Sequence, residues 1–129
     1  MKSEIQLLQF LICEEFSQER QDGYLARAIQ SYIYAARFPF TLDKLFIVTC
    51  WRKDERFHKE VIEYATDDGT SVRTPHMDIE PARDNVIFRW HTHRFPGDFE
   101  IQKPTTLAVR VILEWEVKFE SYVLIEQRP

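Results

Sequence analysis

The chain has 129 residues, a formal net charge of −4 and 44% hydrophobic residues. This length predicts a single domain over residues 1–129, and the composition excludes a disordered chain or a collagen-like repeat. The acidic balance argues against a nucleic-acid binder, because such proteins usually have a basic excess.

The N-terminal third leaves helix and strand open as alternatives. Ser3 and Gln6 have capping-box spacing, and two apolar sets recur at helical intervals: Ile5, Leu8, Ile12 and Phe16, then Leu25, Ala28, Ile29, Tyr32, Ile33 and Ala36. This interpretation gives an α+β domain with two N-terminal helices. The same residues also fit two buried strands, Leu7–Cys13 and Tyr24–Tyr34, joined by the polar loop Glu14–Gly23. Periodicity alone does not separate the two over residues 5–36.

From residue 45 onwards the pattern predicts strands. Leu45–Trp51 is a β-branched and aromatic run, and Lys59–Thr66 continues the pattern. Asp67–Thr70 has the composition of a tight turn, since Asp and Gly tolerate positive φ. A short extended segment, Val72–Pro75, comes next, and Pro75–Pro81 is predicted to be a loop.

Apolar and polar residues alternate in several of these segments. Each of four sets predicts one face of a strand: Ile62 and Tyr64, opposite Val61 and Ala65; Val86, Phe88 and Trp90; Leu107, Val109, Val111 and Leu113; Val123 and Ile125, opposite Tyr122 and Leu124. The second and third sets predict one face on the core and one in water. In the second set we predict that Phe88 and Trp90 point into the core, while Arg89 and His91 face solvent. The last strand, Ser121–Gln127, follows a hairpin through Trp115 and Glu116 that contains no glycine.

The order of several short motifs resembles a known family. The motifs are Phe10-Leu11-Ile12-Cys13-Glu14, Gly23-Tyr24-Leu25, Ala35-Ala36-Arg37-Phe38-Pro39, Phe46-Ile47-Val48, His58 and Asp67-Asp68-Gly69. They resemble a family of small, functionally uncharacterised bacterial β-sandwich domains, which open with a leucine-leucine-cysteine strand and have a phenylalanine-proline crossover. The likeness spans nearly the whole chain. It departs at Lys103–Thr106, where the family has a glycine-tyrosine step, and at Glu114–Glu116, where the family has a glycine turn.

The resemblance favours strands in the N-terminal third. It implies an all-β, single-domain antiparallel β-sandwich of about eight strands, immunoglobulin-like or C2-like. The spacing of turn signals in the later two thirds agrees with a sandwich. The resemblance supplies no catalytic or binding residues.

His91-Thr92-His93 is the sharpest chemical signal in the sequence. Side chains two apart on a strand project from one face, so two imidazoles can share Zn or Fe if a further ligand is near. We predict Glu100 as that ligand, with the other candidates being His76, Asp78 and Asp98. The competing interpretation is two solvent-facing histidines beside Arg89 and Arg94, and those arginines are candidate contacts for an anionic ligand or an acidic partner.

These observations predict a non-enzymatic protein-binding or structural module that needs no cofactor and acts through a protein partner or a homodimer. The alternative is a metal-binding domain or metalloenzyme that uses the His-x-His pair. Cys13 and Cys50 lie in apolar runs and are predicted to be buried reduced thiols. Because neither a targeting segment nor a membrane span is recognisable, we expect a cytoplasmic protein without membrane contact.

Overall fold

The computed structural model describes residues 4–20, 23–97 and 99–129. Within these ranges the chain forms twelve strands and no helix. The strands are β1 (Gln6–Glu19), β2 (Gly23–Ala28), β3 (Tyr32–Ala35), β4 (Phe40–Leu42), β5 (Phe46–Arg52), β6 (His58–Ala65), β7 (Ser71–Arg73), β8 (Met77–Ile79), β9 (Phe88–Arg94), β10 (Phe99–Ile101), β11 (Thr105–Leu113) and β12 (Glu116–Gln127).

Two sheets form a β-sandwich. The four-stranded sheet has the order β2-β1-β5-β9, and the six-stranded sheet has the order β3-β12-β11-β6-β7 with β8 also paired to β6. Strands β4 and β10 form a separate two-stranded pair. Every pairing is antiparallel except that of β3 with β12. The predicted all-β sandwich is confirmed, although it has twelve strands where we expected about eight.

The core lies between the inner faces of the two large sheets, where side chains of successive strands alternate between core and exterior. The predicted core face of β11 is confirmed, and in β6 and β12 one of the two apolar faces lies on the core. Their inner residues are Ile62 and Tyr64; Leu107, Val109, Val111 and Leu113; and Val123 and Ile125. From the four-stranded sheet, Ile12, Ile47 and Trp51 close the core.

The N-terminal third is made of strands, so the α+β alternative is wrong. The residues at helical spacing do not share one buried face, since Leu8 and Leu25 are 42% and 65% exposed, whereas Leu7 and Phe10 pack against the core. The pairing of β1 shifts register between Leu7 and Gln9 and again between Cys13 and Glu15, and each β-bulge moves the side-chain alternation out of phase. The capping-box residue Ser3 lies outside the described residues.

Element boundaries differ from the prediction in several places, and the last strand, predicted as Ser121–Gln127, begins at Glu116. The predicted polar loop Glu14–Gly23 continues as strand to Glu19. The predicted strand Tyr24–Tyr34 divides into β2 and β3, which belong to different sheets. The predicted loop Pro75–Pro81 contains β8, whose residue Ile79 is fully buried.

The crossover agrees with the expectation, whereas the predicted hairpin through Trp115 and Glu116 turns one residue earlier. Phe38-Pro39, joined by a cis peptide bond, lies in the crossover between β3 and β4. The hairpin between β11 and β12 turns on Glu114 and Trp115, which have φ values of 47° and 71°. Positive φ at both central residues is the requirement of a type I′ turn, so this hairpin has the usual two-residue geometry without glycine.

Candidate functional site

A carboxylate lies in the centre of the sandwich core. Glu60 is fully buried on β6, on the same inner face as Ile62 and Tyr64. Burying a charged group is unfavourable unless hydrogen bonds or opposite charges compensate for the lost water. The groups around Glu60 therefore determine whether the core can hold an ionised carboxylate.

Four side chains from the opposite sheet surround this carboxylate. Its Oε1 lies 2.6 Å from Nδ1 of His91 and 2.8 Å from Nε2 of His93, and it accepts a hydrogen bond of 3.1 Å from the Thr49 hydroxyl. Its Oε2 accepts a 2.7 Å hydrogen bond from the indole N–H of Trp51. These five residues, Thr49, Trp51, Glu60, His91 and His93, are called the Glu60 cluster below.

Strand geometry explains why these groups meet. Thr49 and Trp51 are two residues apart on β5, and His91 and His93 are two apart on β9, so each pair projects from one face. The register of the two strands places Thr49 directly opposite His91. All four side chains thus point inward, and Glu60 reaches them from the six-stranded sheet.

The cluster keeps Glu60 ionised. Burial alone raises the pKa of this carboxyl, but hydrogen bonds from His91 and His93, the attraction of His93 and the hydrogen bond from Trp51 outweigh burial and lower the pKa to about 2. The second ring nitrogen of His93, Nδ1, is buried and has no hydrogen-bond partner among the described residues. Glu60 therefore provides the polar contact that fixes this ring.

The orientation predicted for β9 is reversed. His93 is 1% exposed and fully buried, whereas Phe88 and Trp90 are 53% and 45% exposed. The predicted alternation of β9 is correct. The face with His91 and His93 points inward, however, because Glu60 is the hydrogen-bond partner of both rings. On the outer side, the ring of Trp90 contacts the ring of Tyr24, with centroids 5.7 Å apart.

The third metal ligand that we predicted does not lie with the histidines. Glu100 is exposed on β10, where it accepts a hydrogen bond from Gln102. His76 and Asp78 are exposed and lie 3.6 Å from each other, and Asp98 falls outside the described residues. Glu60 occupies the position instead, with its ligand atom and those of His91 and His93 all within 4.8 Å of one another.

The sequence carried a signal for Glu60 that we did not use. Glu60 lies two and four residues before Ile62 and Tyr64, so its side chain shares one of the two apolar faces that we predicted for that strand. A carboxylate in phase with a core face indicates a buried polar partner elsewhere in the chain.

The two candidate arginine contacts do not form one patch. Side chains alternate between the two faces of a strand, and Arg89 and Arg94 are an odd number of positions apart. They therefore project from opposite faces of β9. Arg89 is partly buried, with Nη2 3.9 Å from a carboxylate oxygen of Glu80, while Arg94 is exposed. Nothing in this arrangement brings them to a common ligand.

Both cysteines are buried free thiols, as predicted. They lie on neighbouring strands but do not meet, because Cys13 pairs with Phe46 and Cys50 pairs with Gln9. Burial raises the pKa of both thiols. A thiol of this kind is a poor nucleophile.

A second buried histidine joins three parts of the chain. Nε2 of His58 lies 2.8 Å from Asp54 and Nδ1 lies 3.0 Å from Glu114, at the β11–β12 turn. Asp54 also accepts a hydrogen bond from the backbone N–H of Ile5. The two carboxylates approach opposite sides of the ring, which is an arrangement for cross-linking loops and not for holding an ion.

The outer face of the six-stranded sheet carries a row of paired charges. Arg73, Glu63, Arg110 and Glu120 lie directly opposite one another on β7, β6, β11 and β12. Glu63 is 2.7 Å from Arg73 and 2.8 Å from Arg110, and Arg110 also contacts Glu120. This row is called the charge ladder below.

Exposed aromatic residues flank the charge ladder. Tyr32 and Tyr34 on β3 stack on each other with centroids 5.6 Å apart, and Tyr122 on β12 donates a hydrogen bond to Glu120. At the other end, Trp115 is 87% exposed and lies under the guanidinium of Arg73. The sequence suggested interface aromatics in general, but it did not show that they share a face.

Comparison of the chain with protein-family models, with curated proteins and with solved structures finds no match. The resemblance to small bacterial β-sandwich domains therefore stays a prediction. In the ranges that the structure describes, no helix has the length and apolar character needed to cross a bilayer.

Proposed function

We propose that this chain is a non-enzymatic protein-contact module that pairs with a second copy of itself through the outer face of the six-stranded sheet. The observation that carries the proposal is the charge ladder with its flanking aromatic residues. Tyr, Trp and Arg are the residue types that dominate binding energy at protein interfaces, and this face displays all three.

The distribution of charge favours a second copy of this chain as the binding partner. The ladder contains two arginines and two glutamates that pair with each other, so the centre of the face is neutral. The whole chain has a formal net charge of −4, so most other approaches between two copies bring like charges together. A two-fold interface uses the same patch on both chains and therefore needs a patch that does not repel itself.

The size of the face is also suitable. The three long strands have 8, 9 and 12 residues. With a rise of ~3.4 Å per residue and a strand spacing of ~4.8 Å, they give a flat area of roughly 500 Å². Protruding tyrosine and tryptophan side chains increase the accessible area, which then approaches the ~800 Å² per partner of a standard interface.

The proposal includes a cytoplasmic location, which the two buried free thiols support because disulfides rarely persist there. It also includes the absence of catalysis by cysteine, which the raised pKa values of Cys13 and Cys50 support. The location and the absence of cysteine catalysis are both argued from Cys13 and Cys50, and neither depends on the charge ladder.

Sedimentation equilibrium with two charge variants tests the proposal. Tyr34→Glu adds a carboxylate to each copy within the face, and Leu25→Glu adds the same charge at a 65% exposed apolar residue of the four-stranded sheet. We expect the wild-type chain to dimerise, Tyr34→Glu to weaken dimerisation at least tenfold, and Leu25→Glu to leave it unchanged. A wild-type monomer at roughly 100 μM, or equal weakening by both variants, would overturn the proposal.

A further inference from the structure

We propose that Glu60, His91 and His93 form a binding site for one divalent transition-metal ion, of the class that includes zinc and ferrous iron. Two imidazoles and one carboxylate are the ligand set that such ions take in proteins, with open positions for further ligands. This site lies inside the sandwich and does not depend on pairing between two copies.

The ligand atoms already converge on one point. Oε1 of Glu60 faces Nδ1 of His91 at 2.6 Å and Nε2 of His93 at 2.8 Å, and all three residues lie on strands, not on loops. With metal–ligand distances of about 2.1 Å, tetrahedral ligand atoms lie ~3.4 Å apart. An ion thus requires Oε1 to separate from the two nitrogens by roughly 0.6–0.8 Å, a change that side-chain torsions can supply.

Neighbouring groups hold the carboxylate in an orientation suited to a metal. The indole N–H of Trp51 binds Oε2, which leaves Oε1 facing the two rings. Hydrogen bonds from outside the ligand set commonly orient ligating groups in this way. The hydroxyl of Thr49, 3.1 Å from Oε1, lies where it can hydrogen-bond to the ligating oxygen.

Binding of an ion replaces the hydrogen bonds between the histidines and the carboxylate. Nδ1 of His91 and Nε2 of His93 donate to Oε1 in the metal-free site, so each ring must give up the proton on that nitrogen before the nitrogen can coordinate a metal.

Access comes from the side of β9. This strand is the edge of the four-stranded sheet, since among the described residues it pairs only with β5. The side chain of His91 retains 10% exposure, whereas His93 and Glu60 are closed off. We infer that an ion enters past His91, and that this ring moves most on binding.

The affinity of this site for a metal ion is expected to be lower than that of a closed structural zinc site. Metal-bound imidazoles usually donate their second N–H to a partner, and loss of that partner costs about 10–100-fold in affinity. Nδ1 of His93 has no such partner among the described residues. We therefore expect an ion in this site to exchange with the solution and not to stay permanently bound.

Titration of metal-free protein with Co²⁺, read by its visible d–d absorption, tests the site without any assay of activity. We expect one Co²⁺ per wild-type chain with a tetrahedral or five-coordinate spectrum, displaced by Zn²⁺. His91→Ala is expected to lower affinity at least 100-fold, and His76→Ala, at an exposed histidine outside the cluster, to leave it unchanged.

Glu60→Gln provides a second variant that keeps the shape of the side chain, with its fold checked by far-UV circular dichroism. We expect a folded Glu60→Gln protein to lose Co²⁺ binding at least tenfold. No uptake by the folded wild-type chain, or uptake that His91→Ala and Glu60→Gln leave unchanged, would overturn the proposal.

Discussion

Replacing Glu60 with leucine tests whether the Glu60 cluster stabilises the sandwich. The change removes the acceptor of four hydrogen bonds while filling most of the same volume. It leaves the indole N–H of Trp51, the hydroxyl of Thr49 and the ring of His93 inside the core without the partner that they have in the wild-type chain.

The expected loss follows from these contacts. Each buried donor or acceptor left without a partner costs about 1–3 kcal/mol, and Glu60→Leu leaves three such groups, on Thr49, Trp51 and His93. The leucine recovers part of this, because burying its side chain contributes ~1.5–3 kcal/mol. We therefore expect Glu60→Leu to lower the free energy of unfolding by about 3 kcal/mol, a large share of the ~5–15 kcal/mol of a typical domain.

Urea denaturation measures this loss, and a double-mutant cycle with Trp51→Phe assigns it to the hydrogen bond. Phenylalanine lacks the indole N–H, so Trp51→Phe is expected to cost at least about 1 kcal/mol less in the Glu60→Leu background than in the wild-type chain. A Glu60→Leu protein as stable as wild type, with additive effects in the cycle, would show that apolar packing can replace the cluster and would refute this reasoning.

Two further predictions concern buried titratable groups. Because the pKa of Glu60 is about 2 in the fold against an ordinary value of 4.5, its ionised form stabilises the fold above pH 4.5. This contribution, about 3 kcal/mol, is lost as the pH falls through 4.5 towards 2. Glu60→Gln, measured by denaturation across the same range, is expected to show a flatter dependence, and parallel curves would contradict the assignment. The hydroxyl of Tyr64 is buried without a hydrogen-bond partner among the described residues, so Tyr64→Phe is expected to keep or raise the free energy of unfolding, by up to about 1 kcal/mol. A thermal melt in which Tyr64→Phe is clearly less stable would show that the hydroxyl has a partner.

Strands with a strict alternation were predictable from the sequence. The inner face of β11 follows directly from Leu107, Val109 and Leu113, because this strand keeps one face on the core along its length. In β12 the buried residues are Val123 and Ile125, near its end, and its pairing with β11 shifts register between Val111 and Ile112. The Asp67–Thr70 turn was equally clear, since Gly69 has the positive φ of 86° that the composition suggested.

Strands that change phase were not predictable in the same way. The two bulges of β1 follow from its pairing with β2 and β5, and such pairings are not visible in the local sequence. For the same reason the division of residues 24–34 between two sheets was missed. Local patterns specify which face a strand buries, whereas bulges depend on the neighbouring strand.

The candidate site shows the same limit. The His91 and His93 pair was visible because both residues lie on one strand. Their partner Glu60 lies 31 and 33 residues earlier and reaches them from the opposite sheet. Hydrophobicity also assigned the wrong face of β9 to the core, because a histidine is only favourable inside when a carboxylate accompanies it.

Native mass spectrometry of the untagged wild-type chain over a range of concentrations tests the central claim most directly, since it reads the assembly without any probe. We predict a species of twice the 15.5 kDa chain mass that gains population as the concentration rises and is absent for Tyr34→Glu. A chain that stays monomeric at every concentration would contradict the assignment of the outer face as an interface between two copies.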